Sequence, residues 1–416
     1  MNVITALRGA RKTKLWVLAL WASLAAESVP AVTQDITAVF RPDPSNPTVN
    51  TFVNTTPQSG ICPWHIPTYC QANGLFTIRT YDLRAVANAP IRAFHTDPRQ
   101  GAMWKLPTHW REVVVTHAET GRSEIVQMRL AGFGHRWDAV PRASVFNNPV
   151  NANNWWSNWT NAPSPCQGVN YSATNGYYMV FFWLFPENAG VCNRIPSEEI
   201  QRFSFAHTEY AYAIKTPNPL SMAAGEYTGS MVYTVGPGAD IDFGDVMIPN
   251  DNILAFNFTL SVDHQLKVEV PPGGNGIQLE PQEGWQAWLN TGRKPSRLFR
   301  DQTVNLWASS QFKMTLECAE PMGNTCSMRN PAGHQVPFHV AVSLPPGLRD
   351  GSGLPVNRLP LRLDGSGTER FEPSMFIDRK PSTLHFEVKA DAVEQMLEQP
   401  GSTYSGTATV VWDSEV

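Results

Sequence analysis

The chain has 416 residues, and only 16% of them are charged, against about 25% in an average soluble protein. Pro (34), Gly (29) and Trp (14) are abundant, which is typical of extracellular β-proteins and argues against a disordered or helical chain. The formal net charge of −4 argues against nucleic acid as a partner, because phosphate binding needs concentrated positive charge.

The first residues have the pattern of a secretory signal peptide. Basic residues between Arg8 and Lys14 precede the apolar stretch Leu15–Ala26, and a further small residue follows at Ala31. We therefore predict a signal peptide over residues 1–31. The alternative, an uncleaved membrane anchor, would need a longer apolar run of about 20 residues. Without this segment the 32 basic and 36 acidic residues become 28 and 35, so the exported chain is acidic.

Six cysteines follow this segment, and an even number in an exported chain predicts three disulfides. Sequence order favours pairing each cysteine with the next one, although six cysteines allow fifteen pairings. The favoured pairs are Cys62–Cys70, Cys166–Cys192 and Cys318–Cys326. A metal site is the alternative, but the sequence has no CxxC motif and no histidines at zinc-finger spacing. We therefore predict no metal and no cofactor.

Alternation of apolar and polar residues is the dominant local pattern. Apolar residues of one parity run from Phe256 through Phe258 and Leu260 towards Val270. This predicts one long strand, or two strands with a bend near Asp263. Shorter alternating segments separated by Gly/Pro turns occur along the whole chain. Many short strands of this kind predict an all-β protein made of sandwiches or barrels.

A weak internal repeat indicates two modules. Gly225–Ser230 recurs as Gly401–Thr407, and each copy contains Tyr, Ser or Thr, and Gly just before an alternating strand. The second copy ends the chain, so the first is predicted to end an earlier module, although two unrelated strands with similar turns would look the same. The Gly/Asp/Pro/Asn-rich stretch after it predicts a linker over residues 241–251. The modules would then be residues 32–240 and 252–416.

Several segments of the second half occur in the order found in a known family. In chain order these are Asn257–Val262, Gln265–Pro271, the Cys-bearing strand Phe312–Cys318, Val336–Gly347, and Thr403–Gly406 before the last strand. This half resembles the pilin domain of class 5 (α-fimbrial) chaperone–usher tip adhesins, the CblD-like initiators of pilus biogenesis. The first half resembles their adhesin domain more loosely, mainly through its two cysteine pairs.

The resemblance implies two tandem immunoglobulin-like β-sandwich domains, of which the C-terminal one lacks its final strand. A periplasmic chaperone would lend that strand. At the outer-membrane usher, the N-terminal donor strand of the major pilin subunit would then replace it. The residues predicted to line the resulting groove are Tyr404, Gly406, Ala408, Val410, Trp412, Phe256, Phe258 and Leu260. The alternative is a complete sandwich whose last strand is an ordinary one.

The receptor site is less well indicated. The family's receptor-binding arginines do not carry over, because Met231–Gly244 contains no Lys or Arg. Other candidates for contacting a host glycan or protein receptor are three tryptophans of an Asn-rich segment and two arginines near a cysteine: Trp155, Trp156, Trp159, Arg194 and Arg202. The alternatives are tryptophans buried under a long loop and arginines on a solvated surface.

The sequence contains no GxSxG elbow, HExxH motif or Walker loop, which argues against common catalytic sites. We predict a non-enzymatic tip subunit, exported through the periplasm to the cell surface, that initiates pilus assembly and binds a host receptor. One alternative is a secreted carbohydrate-active β-sandwich enzyme, which would need paired carboxylates in a cleft. The other is a structural fimbrial subunit without receptor binding.

Overall fold

The computed structural model describes residues 31–140, 159–174 and 178–414. The predicted signal peptide lies, apart from Ala31, outside the described residues. Within them strands form most of the regular secondary structure and helices are few and short, which confirms the all-β prediction. It forms two β-sandwich modules with separate hydrophobic cores.

The first module contains a long series of strands and two short helices. The strands are β1 Val32–Phe40, β2 Val53–Asn54, β3 Phe76–Thr80, β4 Ala85–Ala87, β5 Ala102–Trp104, β6 Arg111–His117, β7 Ser123–Val140, β8 Gln167–Thr174, β9 Tyr178–Leu184, β10 Cys192–Arg194, β11 Arg202–Lys215, β12 Gly225–Thr234, β13 Met247–Pro249 and β14 Ile253–Val262. The helices, between β2 and β3, are α1 Ile61–Trp64 and α2 Pro67–Asn73.

One large sheet surrounds the first core, with its strands in the order β13-β4-β11-β7-β6-β12-β14-β1-β2. Strand β3 also pairs with β11, and β9 and β8 extend the sheet from β7. Strand β1 runs parallel to β14, from Val32 opposite Leu254 to Phe40 opposite Val262. The segment directly after the predicted signal peptide is therefore built into the sheet.

Strand β14 contradicts the predicted boundary between the modules. It pairs with β12 on one side and β1 on the other. Its inward side chains Phe256, Phe258 and Leu260 are only 0–2% exposed in the first core. Of the two readings that the alternation left open, the structure has the one with two strands separated near Asp263, but the strand before that break belongs to the first module.

The predicted linker, residues 241–251, is also part of the first module. Ile241, Phe243 and Met247 are buried, and β13 pairs with β4. The Asp242 carboxylate, in a residue only 2% exposed, accepts a hydrogen bond of 2.8 Å from the Arg99 guanidinium. The linker prediction was wrong because the turn-forming residues of this stretch alternate with apolar residues that hold it against the core.

The second module follows with shorter strands and two eight-residue helices. Its strands are β15 Leu266–Glu269, β16 Leu298–Ala308, β17 Lys313–Cys318, β18 Pro321–Met322, β19 Thr325–Arg329, β20 Gln335–Ser343, β21 Leu348–Asp350, β22 Leu359–Leu361, β23 Phe371–Pro373, β24 Ile377–Val388 and β25 Ala408–Asp413. Its helices are α3 Gly284–Thr291, between β15 and β16, and α4 Ala390–Leu397, between β24 and β25.

Two layers of strands enclose the second core. One layer has the order β15-β16-β24-β20-β19-β18, with β22 paired to β20. The other consists of the pairs β17-β25 and β21-β23, which a backbone bridge between Phe312 and Phe371 connects. Side chains of both layers, such as Val304 and Leu316, share one core.

The chain crosses between the modules at Asp263–Gln265. His264 contacts both sides: its Nε2 lies 2.9 Å from the Met222 carbonyl oxygen, and its Nδ1 lies 3.2 Å from Ser309 Oγ. Its ring also meets the Phe40 ring edge-on. The connection is therefore short and is held by contacts with each module.

Candidate functional site

Strand β25 is paired on one side only. Its residues Ala408–Asp413 run antiparallel to Lys313–Cys318 of β17, and no strand in the described part of the chain pairs with its other edge. An open strand edge presents a row of N–H and C=O groups that remain available to another chain. β25 can therefore accept a further strand.

An open cavity of about 600 Å³ lies along this edge, within the roughly 300–1,000 Å³ range of binding clefts. We call it the groove. Its floor is apolar and comes from the opposite layer, with Val304 of β16, Phe338 of β20, and Leu384 and Phe386 of β24. β25 forms one wall. The other wall consists of apolar residues of β15 and the loop after it: Val268, Val270, Ile277 and Leu279.

The side chains along the groove are incompletely covered. Ala408, Val410 and Trp412 are half-buried, and Val270 is 42% exposed. Burying an apolar side chain completely contributes about 1.5–3 kcal/mol relative to full exposure. A segment that filled the groove with apolar side chains would therefore gain free energy from covering these residues as well as from pairing with β25.

Four of the predicted groove residues line the groove: Gly406, Ala408, Val410 and Trp412. Glycine is needed at Gly406 because the chain passes close to β19, where a Cβ atom would lie 2.6 Å from the Ser327 carbonyl oxygen. Tyr404 lies outside the groove. Its hydroxyl is 2.7 Å from His334 Nδ1, so it holds the segment that leads into β25.

Phe256, Phe258 and Leu260 do not line the groove, because β14 packs them into the first core. The residues missed by sequence reasoning are those of the floor and of the wall formed by β15 and the loop after it. Their signal was present, since Leu384 and Phe386 alternate within a predicted strand. Their place opposite β25 could not be predicted, because alternation shows that one face of a strand is buried but not which distant strand covers it.

The structure contains the three predicted disulfides, with Cα–Cα distances of 5.5–6.0 Å. Cys318–Cys326 joins β17 to β19 and so links the strand that carries β25 to the opposite layer. Cys62–Cys70 instead closes the α1–α2 pair in the first module. One disulfide therefore supports the groove directly.

Of the three tryptophan candidates the structure describes only Trp159, and this residue is buried. Trp155 and Trp156 lie outside the described residues. Trp159 is fully buried, and its ring stacks on Trp183 at 5.3 Å and meets Trp104 edge-on at 5.7 Å. Trp159 therefore cannot contact a receptor, and its role is to fill the first core.

The two arginine candidates differ in environment. Arg194 is half-buried, its guanidinium lies 5.6 Å from the Trp183 ring, and it donates a hydrogen bond to the Asn161 carbonyl. Burial lowers the pKa of Arg194. Arg202 is exposed at the start of β11. Only Arg202 presents a largely exposed side chain to solvent.

Over residues 31–140, 159–174 and 178–414, no group of three or more His, Cys, Asp or Glu side chains could hold a metal ion. None of the described helices is long and apolar enough to span a bilayer.

Comparisons with known proteins give matches among solved structures only; no family model and no curated protein matches the chain. The matching structures include fimbrial tip adhesins. CfaE, the adhesive subunit of the CFA/I fimbria of enterotoxigenic Escherichia coli, is 11% identical with a TM-score of 0.25, covering 93% of this chain and 94% of its own.

Two chaperone complexes give similar values. The CFA/I chaperone–tip adhesin complex is 10% identical with a TM-score of 0.24, covering 93% of this chain and 97% of the other. The CsuC–CsuE chaperone–tip complex of Acinetobacter baumannii is 9% identical with a TM-score of 0.21, covering 92% and 98%. These values are too low to transfer a function, so the proposal below rests on the geometry of the groove.

Proposed function

We propose that this protein is a non-enzymatic tip subunit of a chaperone–usher fimbria of the class 5 type and that it initiates pilus assembly. Its second module, residues 266–416, accepts a strand from a periplasmic chaperone. At the outer-membrane usher it then accepts the N-terminal donor strand of the major pilin subunit. Its first module, residues 32–262, binds a host glycan or protein receptor at the cell surface.

The observation that carries the proposal is the groove beside β25. An extended segment lying in it would hydrogen-bond to the open edge of β25 and place every second side chain on the apolar floor. In strand addition of this kind the main-chain hydrogen bonds give affinity and the side-chain pockets give specificity. The groove therefore favours a donor with apolar residues at alternate positions.

Strand β1 supports a position at the end of a fibre. A subunit that donates a strand needs an extended segment that is free of its own fold. Here Val32–Phe40 pairs with β14 along its whole length, and Ile36, Ala38 and Phe40 are buried. Releasing β1 would expose these side chains to water. β1 is therefore not available as a donor strand, and the described chain can accept a strand at its groove.

Two adjacent valines provide a matched test. Val410 lines the groove, whereas Val411 is not among its lining residues, and both are half-buried. The full chain is titrated with a peptide copied from the pilin donor segment while its Tm is measured. We expect the Tm to rise, because a ligand that binds only the folded state stabilises it. Val410→Asp should weaken peptide binding at least about tenfold, because the carboxylate would lose its water without gaining a partner.

Val411→Asp is the control and should bind the peptide nearly as well as the wild-type chain. A peptide of identical composition, with its apolar residues shifted by one position, should bind poorly. The proposal fails if the cognate peptide leaves the Tm unchanged, or if both aspartate variants lose affinity equally.

A further inference from the structure

Helix α3 packs no side chain into either core. None of its eight residues is buried, whereas α4, which has the same length and lies in the same module, buries Ala392 and Val393. A helix this short is marginal in water by itself, and protein helices owe most of their stability to an apolar face packed on other elements. The described chain provides little such packing for α3.

The exposed face of α3 is nevertheless apolar. Trp285, Trp288 and Leu289 have the i, i+3, i+4 spacing that places side chains on one face of a helix, and the two indole rings lie 6.0 Å apart. Trp285 is 38% exposed and Leu289 is 71% exposed. Gln286 and Asn290, also exposed, occupy other positions around the helix. The helix is amphipathic, and its apolar face is only partly covered: Leu289 is largely exposed, Trp285 is partly exposed and Trp288 is half-buried.

Basic residues follow the helix directly. Arg293 and Lys294 are exposed, and together with Arg297 and Trp288 they line a cleft of about 290 Å³ between α3 and the segment that leads into β16. Glu283 lies at the same cleft. An apolar face bordered by basic residues is complementary to a surface that carries an apolar spot next to carboxylates.

Helix α3 begins only a few residues along the chain from the groove. Leu279 lines the groove, Glu280 exchanges backbone hydrogen bonds of 3.2 and 3.0 Å with Phe299 at the start of β16, and α3 begins at Gly284. The five Cα–Cα steps from Leu279 to Gly284 can span at most about 18 Å. A protein with a strand in the groove would therefore have its neighbouring surface within reach of α3.

We infer that the α3 face and the basic segment after it form a docking surface for the body of the chaperone, a step that rests on the proposed strand-accepting role. A chaperone lends a strand that belongs to its own folded sheet, so its body must lie alongside the groove. A donor extension, by contrast, is a separate segment whose own domain lies beyond the groove. Tryptophan and arginine are also the residues enriched in protein interfaces.

The inference specifies the chemistry of the chaperone surface. Carboxylates should lie opposite Arg293 and Lys294, and an apolar spot should cover Trp285 and Leu289. This second contact would raise the affinity for the chaperone and fix its orientation, in addition to the strand pairing in the groove. It would not alter the groove itself.

The test compares two ligands, the intact chaperone and a peptide copied from its inserted strand, on the full chain. Trp285→Ala/Leu289→Ala and Arg293→Glu/Lys294→Glu should each weaken binding of the chaperone about tenfold or more, as loss of an interface anchor does. Neither should change the affinity for the peptide. Gln286→Ala/Asn290→Ala is the matched control and should leave both affinities unchanged. Since α3 buries no residue, these variants are expected to keep the fold, which the unchanged peptide affinity would verify.

Each other outcome overturns the inference. If the variants lose affinity for the chaperone and for the peptide equally, α3 contributes to the groove itself. If chaperone affinity is unchanged, α3 is not a docking surface for the chaperone. Binding to anionic phospholipid vesicles that depends on these residues, with chaperone binding unaffected, would reassign the surface to a membrane. If the wild-type chain binds neither chaperone nor peptide, the proposed function itself fails, and the inference fails with it.

Discussion

His135 is enclosed by aromatic rings in the first module. It is 1% exposed, its ring stacks on Phe205 at 4.0 Å, and its Nδ1 lies 3.1 Å from the His207 carbonyl oxygen. Burial lowers the pKa of His135 to about 3 and that of His207 to about 4. Both values lie below the ordinary histidine pKa of about 6.5. Between about pH 4 and 6.5 these two histidines are therefore neutral in the folded chain and protonated in the unfolded chain.

The first module should therefore lose stability in acid. Because the folded-state pKa values are depressed, the stabilisation is complete above about pH 6.5 and declines as the pH falls towards 4. Replacing one buried histidine should reduce the pH slope of the unfolding free energy near pH 5 by about 1.4 kcal/mol per pH unit, because one proton fewer is taken up on unfolding. Urea unfolding of His135→Gln between pH 4 and 7 measures this slope. The exposed His109 supplies the control, His109→Gln, and equal slopes for the two variants would refute the argument.

Trp159 shows where prediction from single residues stops. Its Asn-rich surroundings were compatible with an exposed loop. The identity of a residue as tryptophan does not show whether its side chain is buried or exposed. Its burial depends on Trp104 and Trp183, which come from β5 and β9. A side chain covered by distant strands gives no nearby pattern, whereas Val410 and Trp412 were predictable because alternation along one strand is local.

At the scale of elements, the Cys318–Cys326 disulfide ties β17 to the opposite layer. Removing it with Cys318→Ser/Cys326→Ser should lower the free energy of unfolding by about 2.5 kcal/mol, from the chain entropy that a loop of this length regains. It should also weaken donor-peptide binding, because β17 positions β25. Urea unfolding and peptide titration measure the two effects.

The control disulfide has the same sequence separation of eight residues but lies in the first module, at Cys62–Cys70. Its removal should lower stability to a similar extent and leave peptide affinity unchanged. If both serine pairs weaken peptide binding alike, the Cys318–Cys326 bond has no particular role at the groove.

Strands were predictable where their own residues alternate, but their partners were not. The sequence predicted β25, and it left open whether β14 and β15 form one long strand or two strands with a bend near Asp263. It assigned β14 to the second module because a Gly/Asp/Pro-rich stretch precedes that strand. The stretch is instead folded onto the first core by Ile241 and Phe243 and by the buried Asp242, which no local turn signal reveals.

At the scale of the whole molecule, the module boundary can be tested by truncation. The fragment 32–262 keeps β14 between β12 and β1 and should unfold cooperatively with a defined Tm. The fragment 32–251 ends where the predicted linker ends and lacks β14, so it would expose the surface that Phe256, Phe258 and Leu260 cover. We expect the shorter fragment to be unfolded or aggregated, as circular dichroism and thermal melting would show. An equal Tm for both fragments would place β14 outside the first module.

Strand β14 also determines how the molecule carries load. It is the strand that leads directly to the second module, and it lies between β1, along nine residue pairs, and β12, along ten. When one module is anchored and the other is pulled, tension enters β14 at Val262 and acts along its axis, across both ladders at once. All the ladder hydrogen bonds are then loaded in shear at the same time and cannot open one after another from an end. Separating the two modules should therefore require a large force.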